Sequence, residues 1–191
     1  MIKIRIISGG QTGVDRAALD VALTLGLPCG GWSPKGRRAE NGSIPARYPL
    51  REMPSPKYPP RTAKNVREAD GTLILTVGAP TGGTALTAKL AKKHRKAFLM
   101  VDLDHGGDPA AVRKWIREKE INILNVAGPR EGKAPGIHDQ AVKFLYEVLK
   151  GFSSTLRAKE SQMTYGVPEW VERNPRVIGY EPTGEPCAAV S

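Results

Sequence analysis

Two glycine-rich turns and four cations are the residues of this sequence best suited to holding an anion. Ser8-Gly9-Gly10-Gln11-Thr12-Gly13-Val14-Asp15-Arg16 follows the apolar run Ile2–Ile7, and Gly82-Gly83-Thr84 follows the apolar run Thr72–Val77. Glycine lets a backbone approach a ligand closely, and a helix that starts at such a turn aims unpaired N–H groups outward. A phosphate can then be held by main-chain amides without any side-chain charge. The candidate binding residues are Gly9, Gly10, Gln11, Thr12 and Gly13 in the first turn, and Gly82, Gly83 and Thr84 in the second. Lys35, Arg37, Arg38 and Arg130 are placed to add charge to the same mouth. The partner this implies is a phosphate-bearing small molecule.

Chemistry at that phosphate would need a general acid or base, and Asp15, Glu40 and Glu131 are the carboxylates near the expected mouth. Each has a structural alternative. Asp15 stands three residues after Thr12, as in a variant of the capping box, and Glu131 can pair with Arg130. Read alone, the first turn fits a capped strand-to-helix turn as well as a ligand site, because it matches neither GxGxxG nor GxxxxGK[ST]. His94, His105 and His138 are isolated, and Cys29 lies far from Cys187, so neither a metal site, structural metal included, nor a disulfide framework is expected.

The elements that must position these residues are those of one domain. A chain of 191 residues, 40% hydrophobic, suffices for one well-buried core and is short for two. No apolar run reaches the length of a membrane span or forms a secretory leader, so cytoplasmic residence without a membrane partner is expected. Residues 1–152 carry 25 Lys and Arg against 14 Asp and Glu, whereas 153–191 carry 4 against 5. A basic body favours an anionic partner: a nucleotide, a phosphorylated metabolite, or nucleic acid met by the loop around Arg37 and Arg38. With three Phe and no aromatic-interleaved basic stripe, nothing in the sequence reads bases.

Strand signals fall at Ile2–Ile7, Leu27–Trp32, Thr72–Val77, Ala97–Leu103 and Ile121–Ala127. Helical spacing follows each in turn: Val14 to Leu25, Arg61–Asp70, Ala85 to about His94, Pro109–Glu120 and Gly136–Lys150. Thr12 is the expected N-cap of the first helix, and 33–60, rich in proline and cations, is expected to be a nearly structureless functional loop. Strands alternating with helices, most without polar alternation, predict an α/β, Rossmann-like doubly wound fold. Its mainly parallel sheet would have five strands or slightly more, with helices on both faces. Ligands of such sheets bind beyond the carboxyl ends of the strands, where both glycine turns and the Arg130 turn must lie. The domain is expected to cover 1–151, with 152–191 as a C-terminal extension or arm.

The two turns, spelled Gly9-Gly10-Gln11-Thr12-Gly13-Val14-Asp15-Arg16 and Gly82-Gly83-Thr84, resemble the paired ligand-binding turns of the SLOG superfamily. That Rossmann-like group holds the DNA-processing DprA/Smf proteins and the LOG, or lysine decarboxylase-like, phosphoribohydrolases. Within it, four stretches resemble the YpsA-related family named "putative molybdenum carrier protein". They are Gly31-Trp32-Ser33-Pro34-Lys35-Gly36-Arg37-Arg38-Ala39-Glu40, Arg61-Thr62-x-x-Asn65-Val66, Asp70-Gly71-Thr72-Leu73-Ile74 and Asn125-Val126-Ala127-Gly128-Pro129-Arg130-Glu131. The likeness covers roughly residues 4–150. It implies a nucleotide-like ligand or molybdenum cofactor (molybdopterin); the carrier name derives from resemblance to an algal protein that holds that cofactor. A homodimer would also suit such relatives. The alternative it implies is a hydrolase that cleaves the N-glycosidic bond of a nucleoside monophosphate. LOG enzymes use the glutamate of GGxGTxxE for that reaction, and here Thr87 stands where that glutamate would fall.

Overall fold

Leu73 and Leu75 face one side of a central strand and Thr72, Ile74 and Thr76 the other, and all five are buried, so this strand must be covered on both faces. The structure, a computed structural model, describes residues 3–153. Its elements in chain order are β1 (Arg5–Ile7), α1 (Val14–Thr24), β2 (Cys29–Gly30), β3 (Trp32–Ser33), β4 (Arg38–Ala39), β5 (Gly42–Ser43), β6 (Arg51–Glu52) and α2 (Tyr58–Glu68). They continue with β7 (Gly71–Thr76), α3 (Gly82–Lys93), β8 (Ala97–Asp102), α4 (Pro109–Glu118), β9 (Ile123–Ala127) and α5 (Ile137–Leu149).

Five of these strands form one parallel sheet in the order β2-β1-β9-β7-β8, the expected doubly wound architecture. Against one face pack α1, α4 and α5, whose Ala17, Ala18, Val112, Ile116, Ala141 and Leu145 join Ile6, Leu73 and Leu124 in one buried core. The helices α2 and α3 pair across the other face. Counted from β9, the strands read 3-2-1-4-5, the usual order of dinucleotide-binding sheets, so the chain starts one strand into that pattern. The crevice where the strand order reverses then opens beyond the ends of β9 and β7.

Several local expectations are corrected. The second strand breaks at Gly31, whose φ of +124° turns the chain where any Cβ would meet the Ser8 carbonyl. Trp32 and Ser33 leave the main sheet and pair in parallel with Arg51 and Glu52 of β6. The 33–60 stretch is not structureless: besides β3 and β6 it holds the β4–β5 hairpin and a tight turn at Lys35–Arg37, with Gly36 and Arg37 at positive φ. Pro59 and Pro60 belong to the first turn of α2, where a missing N–H leaves no bond unmade. Thr12 is not the N-cap of α1; Gly13 holds that position without a side-chain bond. The arm expected from 152 lies, from residue 154, outside the described residues.

Candidate functional site

A cavity of about 470 Å³ opens beyond the carboxyl ends of β7 and β9, a volume suited to a small organic ligand. Both glycine turns reach it. Its lining takes Gln11 and Asp15 from the first turn and α1, Thr81, Gly82, Gly83 and Thr84 from the second turn, Pro129, Arg130 and Lys133 from the segment after β9, and Tyr58 and Arg61 from α2. Arg61, Arg130 and Lys133 outnumber the single lining carboxylate, Asp15, so the cavity is cationic.

The second turn lies at the start of a helix. It forms the first turn of α3; the Thr84 and Ala85 amides bond back to the Thr81 carbonyl, which leaves those of Gly82 and Gly83 for an outside acceptor. No acidic side chain occupies this first turn, so the positive end of the helix dipole is uncompensated. A Cβ at Gly82 or Gly83 would meet nothing within 4 Å, so the wall is open here. Thr87 also lines the cavity, but its hydroxyl donates to the Gly83 carbonyl at 2.9 Å.

From the first turn Gln11 lines the cavity, whereas Gly9, Gly10, Thr12 and Gly13 do not. Gln11 N donates to Asp15 Oδ2 at 3.4 Å, Thr12 N to Gln11 Oε1 at 3.1 Å, and Val14 N to the Pro129 carbonyl at 3.2 Å. The glycines serve close packing: a Cβ at Gly9 would overlap the Arg61 guanidinium, one at Gly10 would strike Leu50, and one at Gly13 the Pro129 carbonyl. Gln11 is the exception. Its Oε1 accepts from Thr12 N and, at 2.9 Å, from Glu40 N, while its buried Nε2 has no hydrogen-bond partner.

Asp15 and Arg61 form a buried ion pair at 3.1 Å, their side chains 7% and 11% exposed. Burial pushes the Asp15 carboxyl above its ordinary range, opposed by the adjacent Arg61 charge and the Gln11 amide. Arg61 Nε has no partner, and the Arg61 and Arg130 guanidinium groups lie 5.9 and 5.0 Å from the centre of the Tyr58 ring.

The remaining candidates lie outside the cavity lining. Glu40 accepts from the Thr12 hydroxyl and, at 3.0 Å, from Gly132 N, so it ties the β4–β5 hairpin to the turns after β1 and β9. Desolvation acts against its charge, but the Thr12 and Gly132 bonds, with Arg130 and Arg16 nearby, hold its carboxyl below the usual range. The Glu131 carboxylate accepts from the amides of Gly136 and His138 and caps α5. Arg37 donates to the carbonyls of Ile44, Pro45, Tyr48 and Leu50 and so organises the loop around itself. Lys35 and Arg38 are exposed on that loop.

Tyr58, Lys133 and Thr76 line the cavity, and no sequence pattern had singled them out. Tyr58 was concealed by Pro59 and Pro60, which read as loop. Other motif residues prove to be framework. Asn65 bonds the Trp32 amide and carbonyl, and Asp70 accepts from the amides of Asn122 and Ile123 at the start of β9.

The family model described as "Circularly permutated YpsA SLOG family" matches residues 6–149. The permutation has its counterpart in a sheet that takes the usual strand order only when counted from β9. A crystal structure named "Putative molybdenum carrier protein", from Syntrophus aciditrophicus SB, is 46% identical in sequence and covers 78% of this chain and 96% of its own, with a TM-score of 0.74. No curated protein matches the chain. Among the described residues no helix is long and apolar enough to cross a membrane.

Proposed function

The chain belongs to the circularly permuted YpsA family of the SLOG group, and on that premise we propose that its cavity binds a phosphate-bearing, nucleotide-like ligand. The observation that carries this reading is the buried, unpartnered Nε2 of Gln11 in a cationic cavity that also takes the free first turn of α3. A buried donor without a partner costs free energy, and a ligand acceptor would recover it. The phosphate would sit on the Gly82 and Gly83 amides, with Lys133 and Arg130 supplying charge.

Molybdenum cofactor is one member of this ligand class, and the name of the Syntrophus protein supports including it. The donors fit its organic part: helix-terminal amides and cations for the phosphate, Gln11 and Tyr58 for the ring. Among the described residues no three His, Cys, Asp or Glu side chains converge, so the residues here would grip the organic group. The metal would ride on that group's own donors.

Titration calorimetry of the full chain with nucleoside monophosphates and the matching nucleosides tests the reading. Saturable heat with the monophosphates, weakened by salt and absent with the nucleosides, is the expected result. Silence with every phosphate-bearing ligand, molybdopterin included, would remove it. Cleavage of the N-glycosidic bond would fall to Asp15, the one carboxylate lining the cavity, and is read separately as release of free base.

A further inference from the structure

Resting on the reading of the cavity as a phosphate site, we propose that its Gln11–Asp15 wall selects a heterocycle with an oxo group, a ring N–H and an amino group in a row. Guanine and the pterins share that edge; adenine lacks it.

The argument starts from two side chains, each almost wholly buried and each with one atom left over. Gln11 is 4% exposed, and two backbone amides donate to its Oε1. Those donors fix which end of the amide is oxygen, so the unpartnered atom is the Nε2 donor. Asp15 is 5% exposed, and both of its described hydrogen bonds, from Gln11 N and Arg61 Nη1, fall on Oδ2. Oδ1 is the acceptor that remains. The lining therefore keeps one neutral donor, on Gln11, and one carboxylate oxygen, on an Asp15 side chain held in place by Arg61. An oxo group meets the first, and neighbouring ring N–H and amino groups meet the second with charge-assisted bonds. Adenine would turn a ring-nitrogen lone pair toward the carboxylate, leaving two acceptors opposed.

The rest of the cavity suits a flat ring carrying a phosphate. Tyr58 lines it, with the Arg130 and Arg61 guanidinium groups over its ring at 5.0 and 5.9 Å from the centre. Gly82 and Gly83 line the same cavity. The base and the phosphate thus fall to different lining residues, and ring selection can be tested apart from phosphate binding.

The test is calorimetry of the full chain at one salt concentration with GMP, IMP, AMP, guanosine and adenosine, followed by displacement of GMP by a pterin that carries a phosphate. GMP should bind at least about tenfold more tightly than AMP, with IMP between them, because a site built to pair polar groups rejects an analogue that leaves them unpaired. The phosphate-bearing pterin should displace GMP. Gln11→Glu keeps the oxygen that accepts from Thr12 and Glu40 but replaces the donor, and should lower GMP affinity at least about tenfold. Equal affinity for GMP and AMP, or tighter AMP, would overturn the selection and leave the phosphate site standing as long as both exceed their nucleosides. No heat from any of the three monophosphates, nor from molybdopterin, would overturn both.

Discussion

Arg61 occupies the space that any side chain at Gly9 would need: its guanidinium lies over the Gly9 Cα on the way to Asp15, 3.1 Å away. The first glycine turn is therefore kept small by an ion pair behind it. Gly9→Ala should displace Arg61 and leave Asp15 buried without its counter-ion, at a cost of about 3 kcal/mol in urea unfolding. Gly83→Ala meets nothing within 4 Å and should leave stability unchanged within about 1 kcal/mol. Equal losses for the two variants would refute this account.

The cations divide between loop and cavity. Arg130 and Lys133 line the cavity, and replacing either with Ala should weaken nucleotide binding about tenfold and flatten its salt dependence. Lys35→Ala and Arg38→Ala should change affinity less than about twofold, since both residues lie outside the lining. Arg37→Ala should instead lower the urea midpoint, because four loop carbonyls lose their donor. Binding isotherms and unfolding curves on the same five proteins separate the two groups.

Two carboxylates that look chemical in the sequence serve as ties. Glu131→Ala should cost about 1 kcal/mol, the ordinary loss for a helix cap, while nucleotide affinity stays within about threefold. Glu40→Gln should behave likewise, with its remaining oxygen still accepting from Thr12 and Gly132. A loss of binding as large as that of Arg130→Ala, with folding intact, would return either residue to the site.

His138 links α5 to α1 through Asp20, 3.1 Å from its Nε2, and also meets Asp139 at 3.0 Å. The bond to Asp20 outweighs partial burial and raises the imidazole above its ordinary value of 6.5. A raised value in the folded state stabilises fully below 6.5 and is lost as pH climbs through the folded value. The wild-type thermal midpoint should therefore fall between about pH 6 and about pH 8, and His138→Gln should flatten that fall. An unchanged slope in the variant would show that the link contributes nothing to folding.

Fold and site were legible in the sequence to different degrees. Hydrophobic runs and helical spacing determined five strands, the main helices and a parallel sheet, because strand burial on both faces leaves a local signal. Pro59 and Pro60 hid the first turn of α2, and with it Tyr58, because proline reads alike in a loop and at a helix start. The folded state of 33–60 was hidden too, since it rests on Arg37 reaching carbonyls 7 to 13 residues away in the chain.

By itself, the sequence determined that each glycine turn lies beyond the carboxyl end of a parallel strand, since each follows a buried strand and starts a helix; the strand order that brings the two turns to one cavity was not written in it. Tertiary structure alone decided what each turn does there. Gly82 and Gly83 border open space, whereas Gly9, Gly10 and Gly13 are packed beneath Arg61, Leu50 and Pro129, so that Gln11 is left to face the cavity. The physical reason is that a glycine's conformation is written locally, but what fills the space of its missing side chain comes from residues far along the chain.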